Sequence, residues 1–380
     1  MSHYLDHAAT TPVRPEAIAA MMPLLAEGFG NPSGAHRMAR AARQVLDESR
    51  EMVAEALSCR PGEVVFTAGG TEADNLAVRG VVDARGGRPL CSAVEHHAVL
   101  DPVRHLDGLV APVGADGRVD LDALADLLTD DVPVVSVMTA NNETGIVQPL
   151  AQVVEVVRRS APRAAVHTDA VQGFCWLDLR QAAPDVDLIS ISAHKFGGPK
   201  GVGALAVRGG VELSPLLLGG GQERGLRSGT QNVAGIAAMA VAIEQLQAER
   251  ADEAPRLAAL RDRLVTGLLA AVPDAIVTGN APGRTVPRLP NIAHLCFPGV
   301  ESEALIFLLE KEEIFVSAAS SCASGAMEPS HVLTAMGYDR SLAFGSLRLS
   351  LGRTTTKADI DAALAAIPPA VERLRTGPGW

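Results

Sequence analysis

Short apolar runs alternate along the first part of the chain with longer segments whose apolar residues recur at helical spacing. The runs lie at residues 63–67, 89–94, 132–138, 164–169 and 187–192. Unbroken apolar runs of this length are typical of strands buried on both faces, and the helical segments between them can cover such a sheet. The pattern predicts an α/β fold, with a mostly parallel sheet covered by helices. Residues 202–207 are predicted to be an antiparallel strand at its edge.

The pattern changes after two predicted helical stretches at about residues 232–249 and 253–271. Beyond them, short strands and helices mix in an α+β arrangement. We predict a large domain of residues 13–250 and a smaller α+β domain built from residues 1–12 and 251–380.

The composition argues against several classes of protein. The chain has 380 residues, 47% of them hydrophobic, so it can bury a large core. Its net charge of −11 argues against direct nucleic-acid binding as the main function. We find no apolar stretch of membrane-helix length and no signal-peptide pattern, so we expect a cytoplasmic protein without membrane contact. The five cysteines are scattered without a CxxC pair, which predicts neither a disulfide framework nor a metal site.

One predicted strand ends in a lysine. Residues 187–201 run from an apolar strand through His194 and Lys195 into a turn rich in glycine and proline. Lysine is seldom buried unless it is paired or its neutral amine is needed, for example in imine formation. The chain has four lysines and none precedes Lys195, which makes this position a candidate for chemistry. Lys200 is a rival, but it follows the turn and not the strand.

Further polar residues fall where the predicted strands end. Ligands bind at this edge of an open parallel sheet, so these side chains are expected to form one site. Each also has an ordinary interpretation: Gly70 and Thr71 could form a plain helix cap, His96 could be a surface histidine, and Asp169 could cap the turn after it. The residues at the strand ends are Thr71, His96, Asn142, Asp169, Gln172 and Lys195.

A pyridoxal phosphate site would use this set well. Backbone N–H groups around Gly70 and Thr71 can bind a phosphate at a helix N-terminus. Asp169 can keep the ring nitrogen protonated, Lys195 can hold the aldehyde as a Schiff base, and His96 can stack on the ring. The glycine-rich turn after Lys195 lacks the spacing of a nucleotide P-loop, and no dinucleotide motif opens a helix after the early strands.

Two residues of the C-terminal part add a nucleophile and an anion clamp. Cys322 lies in a run of small residues, which gives it little to pack against and favours an accessible thiol. Such a thiol becomes a nucleophile when its thiolate is stabilised, but an ordinary loop cysteine would have the same sequence context. Arg348 lies in the middle of a predicted strand, residues 346–350, and its guanidinium can bind a substrate carboxylate in a bidentate way.

Taken in order along the chain, these segments resemble the cysteine desulfurases of the NifS/IscS type. The similarity runs from end to end and implies the fold-type I pyridoxal phosphate architecture of class V aminotransferases, working as a homodimer. The matching segments are Tyr4-Leu5-Asp6, Ala9-Thr10-Thr11-Pro12, Phe29-Gly30-Asn31-Pro32-Ser33, Gly70-Thr71-Glu72, Asp74-Asn75, Glu95-His96, Asn141-Asn142-Glu143, Asp169 with Gln172, Ser192-Ala193-His194-Lys195, residues 219–230, and Ser346-Leu347-Arg348.

The resemblance implies a role for each matching residue. Lys195 would be the Schiff-base lysine, Asp169 the partner of the ring nitrogen, and His96 the stacking histidine and acid/base. Cys322 would be the nucleophile that accepts sulfur. The remaining roles are phosphate binding by Thr71, Ser192 and His194, with Thr230 reaching the neighbouring subunit's phosphate; contacts near the ring hydroxyl by Asn142 and Gln172; and substrate-carboxylate binding by Arg348 with Asn31 near it.

The implied reaction converts L-cysteine to L-alanine and passes the sulfur, as a persulfide on Cys322, to an acceptor protein. Iron–sulfur cluster assembly, tRNA thiolation and DNA phosphorothioation all draw on such enzymes. The sequence departs from the family at Ala319-Ser320-Ser321, where Gly-Ser-Ala usually precedes the cysteine, and the missing glycine could stiffen the loop. The alternatives are an aminotransferase or a selenocysteine lyase with the same Lys195 and Asp169, or a non-catalytic subunit built on the fold.

Overall fold

The structure is a computed structural model that describes residues 2–280, 286–318 and 329–376. Its strands are His3–Tyr4 (β1), Val64–Thr67 (β2), Leu90–Ser92 (β3), Leu109–Ala111 (β4), Val134–Ser136 (β5), Ala165–Asp169 (β6), Leu188–Ser192 (β7), Gly203–Val207 (β8), Ile276–Val277 (β9), Ile292–Cys296 (β10), Ile314–Phe315 (β11) and Ser346–Ser350 (β12). Its helices are Pro15–Ala26 (α1), Arg37–Ala56 (α2), Gly70–Arg85 (α3), His97–His105 (α4), Leu121–Leu127 (α5), Leu150–Ser160 (α6), Leu179–Ala182 (α7), Val233–Ala271 (α8), Ser302–Lys311 (α9), His331–Ala335 (α10), Arg340–Ala343 (α11) and Lys357–Thr376 (α12).

Among these residues the main sheet has seven strands, in the order β2-β8-β7-β6-β5-β3-β4. The strands from β7 to β4 run parallel. The apolar runs predicted this for β7, β6, β5 and β3, whereas the partly buried edge strand β4 was not predicted. β8 is antiparallel to β7, as expected, but its other side pairs with β2, where Phe66 lies opposite Ala204. The prediction that this strand forms the edge was therefore wrong. Its second partner comes from a distant part of the chain, which no local pattern reveals.

Helix α8 is continuous, whereas the sequence pattern predicted two stretches broken near residue 250. Pro255 lies inside it, and an internal proline costs a helix about 3 kcal/mol. The two halves are buried in different places: Leu246 packs in the core of the main sheet, and Leu257 packs beside the small sheet. Each buried side chain of this size contributes about 1.5–3 kcal/mol, so packing on both sides of the proline outweighs its local cost.

A smaller sheet, in the order β12-β10-β9, lies in the C-terminal part. Its antiparallel strands pack against α9, α12 and the second half of α8, around buried residues such as Leu295, Leu347 and Ile360. Leu5, from the other end of the chain, belongs to the same cluster. No helix in the described ranges is long and apolar enough to cross a bilayer.

Residues 5–12, which we call the N-terminal strap, connect the main sheet to the β12-β10-β9 sheet; β1, just before the strap, pairs with β11 in a third sheet of two strands. Backbone hydrogen bonds join Leu5 and His7 to Ser350 at the end of β12 (Ser350 N to Leu5 O, 2.7 Å; His7 N to Ser350 O, 3.1 Å). At the other end of the strap, Thr11 N donates to the carbonyl of His194, just after β7 (3.2 Å). The strap is therefore fixed across the region where the parallel strands end.

Candidate active site

The parallel strands end at a cavity of about 530 Å³. Ten of the residues singled out in the sequence line it: Gly70, Thr71, His96, Asn142, Asp169, Gln172, Ser192, His194, Lys195 and Arg348. Two others do not: Asn31 and Thr230 are both exposed. The Asn31 side chain accepts a hydrogen bond from Ser33 N. Cys322 lies outside the described residues.

Lys195 reaches the cavity from the short 3₁₀ turn that ends β7. Its Nζ donates to the carbonyls of Ala8 and Ala9 in the N-terminal strap (2.7 and 2.9 Å). Burial, and next the positive charge of Arg348, lower the pKa of Lys195 to about 8. The rival Lys200 is exposed and does not line the cavity. Lys195 is therefore the lysine placed to act as an amine nucleophile here.

Asp169 ends β6 and is buried at the floor of the cavity. Its Oδ1 accepts from Val171 N (2.8 Å), and burial raises the pKa of its carboxyl. Behind it, His167 is held between the hydroxyls of Ser136 and Ser190 (2.8 and 2.9 Å). Burial lowers the pKa of His167 to about 3, so this imidazole is neutral. A buried carboxyl that faces the cavity, with a neutral imidazole behind it, suits a cationic ring nitrogen as its partner.

The N-terminus of α3 forms an anion-binding surface at one side of the cavity. Its N-cap, Gly69, has φ +150°, and no side chain caps the helix, so its first N–H groups point toward the cavity without a local acceptor. A Cβ on Gly70 would lie 2.9 Å from the Val171 side chain, so glycine is needed for this close approach. Ser192 and His194 add polar groups beside it.

His96 occupies the N-cap of α4 and faces the same cavity. Its Nδ1 accepts from Ala98 N (3.0 Å), which assigns the ring proton of the neutral form to Nε2. Burial lowers the pKa of His96. A neutral ring in this position can stack on a planar ligand and exchange a proton through Nε2.

Arg348 enters from the middle of β12 and is buried. Its Nη1 donates to the carbonyl of Asn142 (2.9 Å) and its Nη2 to the carboxylate of Asp6 (2.8 Å). Its Nε is buried without a partner in the described chain. The guanidinium therefore keeps free donors for a further carboxylate.

Comparison with known proteins relates this site to a family. The model of the family described as aminotransferase class-V matches residues 3–363. The chain belongs to the class-V aminotransferase family. An IscS-like cysteine desulfurase of Mycobacterium tuberculosis is 46% identical, covering 98% of this chain and 97% of the relative, and the cysteine desulfurase IscS of Methanosarcina thermophila is 40% identical, covering 98% and 92%. A solved NifS-like protein superposes with a TM-score of 0.89 at 36% identity, covering 98% of this chain and 100% of that one.

These class-V relatives confirm the fold-type I architecture and identify the chain as a pyridoxal phosphate-dependent enzyme related to cysteine desulfurases. The cavity fits that cofactor. Its volume accommodates the pyridine ring and phosphate, the uncapped N-terminus of α3 suits the phosphate, Asp169 suits the ring nitrogen, and Lys195 suits the aldehyde.

Two acidic residues in this class-V site were not predicted. Asp6 and Asp74 both line the cavity, although each lies in a segment that carried the family resemblance. Asp74 is buried on α3, and its Oδ1 has no hydrogen-bond partner in the described chain, although it lies 3.6 Å from Nε2 of His167. Burial, reinforced by Asp169, raises the pKa of its carboxyl. The resemblance of their segments to the family could have pointed to both residues. Their contacts in the site could not be predicted, because the residues they contact are distant in the chain.

Proposed function

We propose that this protein is a cysteine desulfurase that converts L-cysteine to L-alanine and holds the released sulfur as a persulfide on Cys322. The observation that supports this most directly is that Lys195, Asp169 and Arg348 open into one cavity. A lysine amine, a carboxylate for the ring nitrogen and a guanidinium for the substrate carboxylate are what chemistry at the α-carbon of an amino acid requires. The relatives named cysteine desulfurase support the choice of substrate.

The side chains divide the work by position. Arg348 binds the carboxylate of L-cysteine, Lys195 moves the proton at the α-carbon, and His96 is a second group in the cavity that can exchange a proton. Gly70, Thr71, Ser192 and His194 hold the cofactor phosphate. When bound, pyridoxal phosphate supplies an electron sink that weakens the bonds around the α-carbon.

The sulfur step belongs to Cys322. Its thiolate attacks the sulfur of bound L-cysteine, so an S–S bond forms while the C–S bond breaks. The electron pair of the broken bond stays on the carbon side and takes up a proton, which yields alanine. The balance is one L-cysteine and one thiol giving one L-alanine and one persulfide, without an external oxidant.

Replacing Cys322 tests this assignment. The Cys322→Ala variant should lose nearly all alanine formation from L-cysteine in the presence of a thiol reductant, because the enzyme thiolate that attacks the substrate sulfur is gone. Its cofactor absorbance should be retained, since Lys195 and Asp169 are untouched. Cys59→Ala, at a partly exposed cysteine outside the cavity, is the matched control and should retain activity. Undiminished alanine formation by Cys322→Ala would exclude Cys322 as the acceptor.

We also propose that the enzyme works as a homodimer. Ile18, Met22 and Leu25 lie on one face of α1 and are about half exposed (47%, 56% and 55%). Leu218 is 85% exposed in the loop that leads to Thr230. A monomer rarely exposes several large apolar side chains on one helix face, so a second copy is the expected partner of this face of α1. Thr230 would then reach the phosphate in the neighbouring subunit, which is consistent with its exposure and with its absence from the lining of the cavity in its own chain.

The destination of the sulfur is proposed to be a partner protein in the cytoplasm. Iron–sulfur cluster assembly, tRNA thiolation and DNA phosphorothioation are the three predicted pathways. Incubation of the enzyme with labelled cysteine and a cell extract of its source, followed by mass spectrometry, would identify the protein that takes up the label. The proposed division into residues 13–250 and a small domain of residues 1–12 and 251–380 is supported by the separate clusters on either side of Pro255.

A further inference from the structure

The N-terminal strap contacts both cationic groups of the cavity. Its backbone carbonyls at Ala8 and Ala9 accept from Lys195, and its Asp6 carboxylate accepts from Arg348. The proposed reaction needs both side chains, Lys195 for the cofactor aldehyde and Arg348 for the substrate carboxylate. Before any ligand binds, each of them is therefore already engaged by the same short segment.

The position of Asp6 is set by the backbone on either side of it. Leu5 and His7 are both hydrogen-bonded to Ser350 of β12, so the Asp6 side chain can move little relative to that strand. Within the part of the chain that the structure describes, Arg348 is the one side chain that hydrogen-bonds the Asp6 carboxylate. That carboxylate is 20% exposed and lines the cavity, so a ligand in the cavity can approach it.

Arg348 has other supports and does not depend on Asp6 for its placement. It lies in the middle of β12, where its backbone exchanges two hydrogen bonds with Ser317 (3.2 and 2.8 Å), and its Nη1 is fixed on the carbonyl of Asn142. The contact with Asp6 uses one Nη2 donor that a bidentate carboxylate could take. It also places a negative charge beside the position of the incoming one, which weakens binding in a partly buried site.

We propose that Asp6 is a resident carboxylate that occupies Arg348 in the resting site and competes with the carboxylate of the amino acid for it. The inference rests on the proposed role of Arg348. An α-amino acid is held by its amino group as well and can displace Asp6, whereas a simple carboxylic acid has only the contested contact. Asp6 thus selects amino acids against other carboxylates.

The test compares ligands that differ only in the carboxylate. L-alanine and ethylamine are titrated into holoenzyme while the cofactor absorbance is followed. Asp6→Asn should bind L-alanine about tenfold tighter, because a like charge is removed, and should bind ethylamine within about twofold of the unchanged enzyme. The KM for L-cysteine should fall by a similar factor with a much smaller change in kcat. Propionate should inhibit the variant more strongly than the unchanged enzyme.

A matched control removes a different carboxylate near the strap. Asp359 accepts from His3 (2.7 Å) and does not line the cavity, so Asp359→Asn should leave the affinity for L-alanine unchanged. Unchanged alanine binding by Asp6→Asn would overturn the competition. Weaker binding would also overturn it and would show instead that Asp6 orients the guanidinium.

A third variant separates this inference from the proposed function. Arg348→Gln should weaken L-alanine binding at least tenfold and leave ethylamine binding unaffected, if Arg348 binds the carboxylate. Loss of that difference would mean that the substrate-carboxylate site was wrongly assigned. If Arg348→Gln weakens alanine binding but Asp6→Asn does not strengthen it, Arg348 does bind the substrate carboxylate, and only the proposed competition by Asp6 is wrong.

Discussion

A lysine amine attacks an aldehyde only in its neutral form, so the pKa of Lys195 sets the pH at which the cofactor attaches. Burial, and next the charge of Arg348, lower this pKa from 10.5 to about 8. Below that value the neutral fraction falls tenfold for each pH unit. We therefore expect the rate at which cofactor-free protein recombines with pyridoxal phosphate to rise up to about pH 8 and to level off above it.

The rate is measured as growth of cofactor absorbance after mixing, between pH 6 and pH 10. Lys195→Ala should show no covalent attachment after borohydride treatment. Lys200→Ala, at the exposed lysine beyond the turn, should reproduce the unchanged profile. A rate that is still rising tenfold per unit at pH 10 would show that the amine behaves as an ordinary surface lysine and would contradict the argument.

The site residues that could be predicted from the sequence differ from those that could not in how their positions are determined. Asp169 and Lys195 could be predicted to share a site because each follows an apolar strand, and parallel strands end at one edge. Asp6 could not, because its partner Arg348 is 342 residues away and the two meet only when β1 and β12 have found their places. Residue type and local pattern contain no information about that contact.

Among the secondary-structure elements, α2, β2 and the loop of residues 219–231 are joined by one buried ion pair. Arg50 of α2 donates two hydrogen bonds to the Glu223 carboxylate (2.7 and 2.8 Å), which also accepts from Phe66 N of β2 (3.0 Å). Although burial favours the neutral acid, the hydrogen bonds from Arg50 hold the pKa of Glu223 below its usual range. Glu223 and its neighbour Arg224 both have left-handed backbone conformations (φ 49° and 60°), so the pair anchors a segment that is locally unfavourable for residues other than glycine.

Breaking this pair should be costly. Glu223→Gln leaves the Arg50 charge buried without its partner, and we expect the free energy of unfolding to fall by about 3 kcal/mol in urea titrations. Asp130→Asn is the matched control, because the Asp130–Arg163 pair is long (3.9 Å) and both side chains are more than three-quarters exposed. It should change stability by less than about 0.5 kcal/mol. Equal effects of the two variants would show that the buried pair contributes nothing special.

Many of the elements could be predicted, and the failures have two causes. Short apolar runs located β3, β5, β6 and β7 to within a few residues, because burial on both faces leaves a local signature. The parallel strand β4 was missed, because it is three residues long and only partly buried. The position of β8 between β2 and β7 and the continuity of α8 through Pro255 depend on contacts with distant segments. Propensity favours a break at a proline, and only tertiary packing on both sides overrides it.

For the whole molecule, the question is what covers the exposed face of α1. Ile18, Met22 and Leu25 recur at a spacing of four and three residues, which aligns them on one side of the helix. The opposite side of α1 packs against α8, so the exposed side is not needed for the fold of the single chain. A homodimer would bury this face and bring Thr230 of each chain to its partner, which makes oligomeric state and cofactor retention depend on the same surface.

A charge on that face tests the dimer. Met22→Glu should change the molar mass measured by light scattering from twice the chain mass of 39.5 kDa to the single value, because a carboxylate would have to be buried against apolar residues. Its melting temperature in the monomeric form should report an intact fold, since Met22 is exposed within one chain. Phe307→Glu, at an exposed aromatic residue on α9 away from this face, is the control and should stay dimeric.

If Thr230 completes the neighbouring phosphate site, the monomeric variant should also release pyridoxal phosphate on dialysis at concentrations where the control retains it. A monomeric unchanged enzyme, or a Met22→Glu protein that stays dimeric, would contradict the proposed interface.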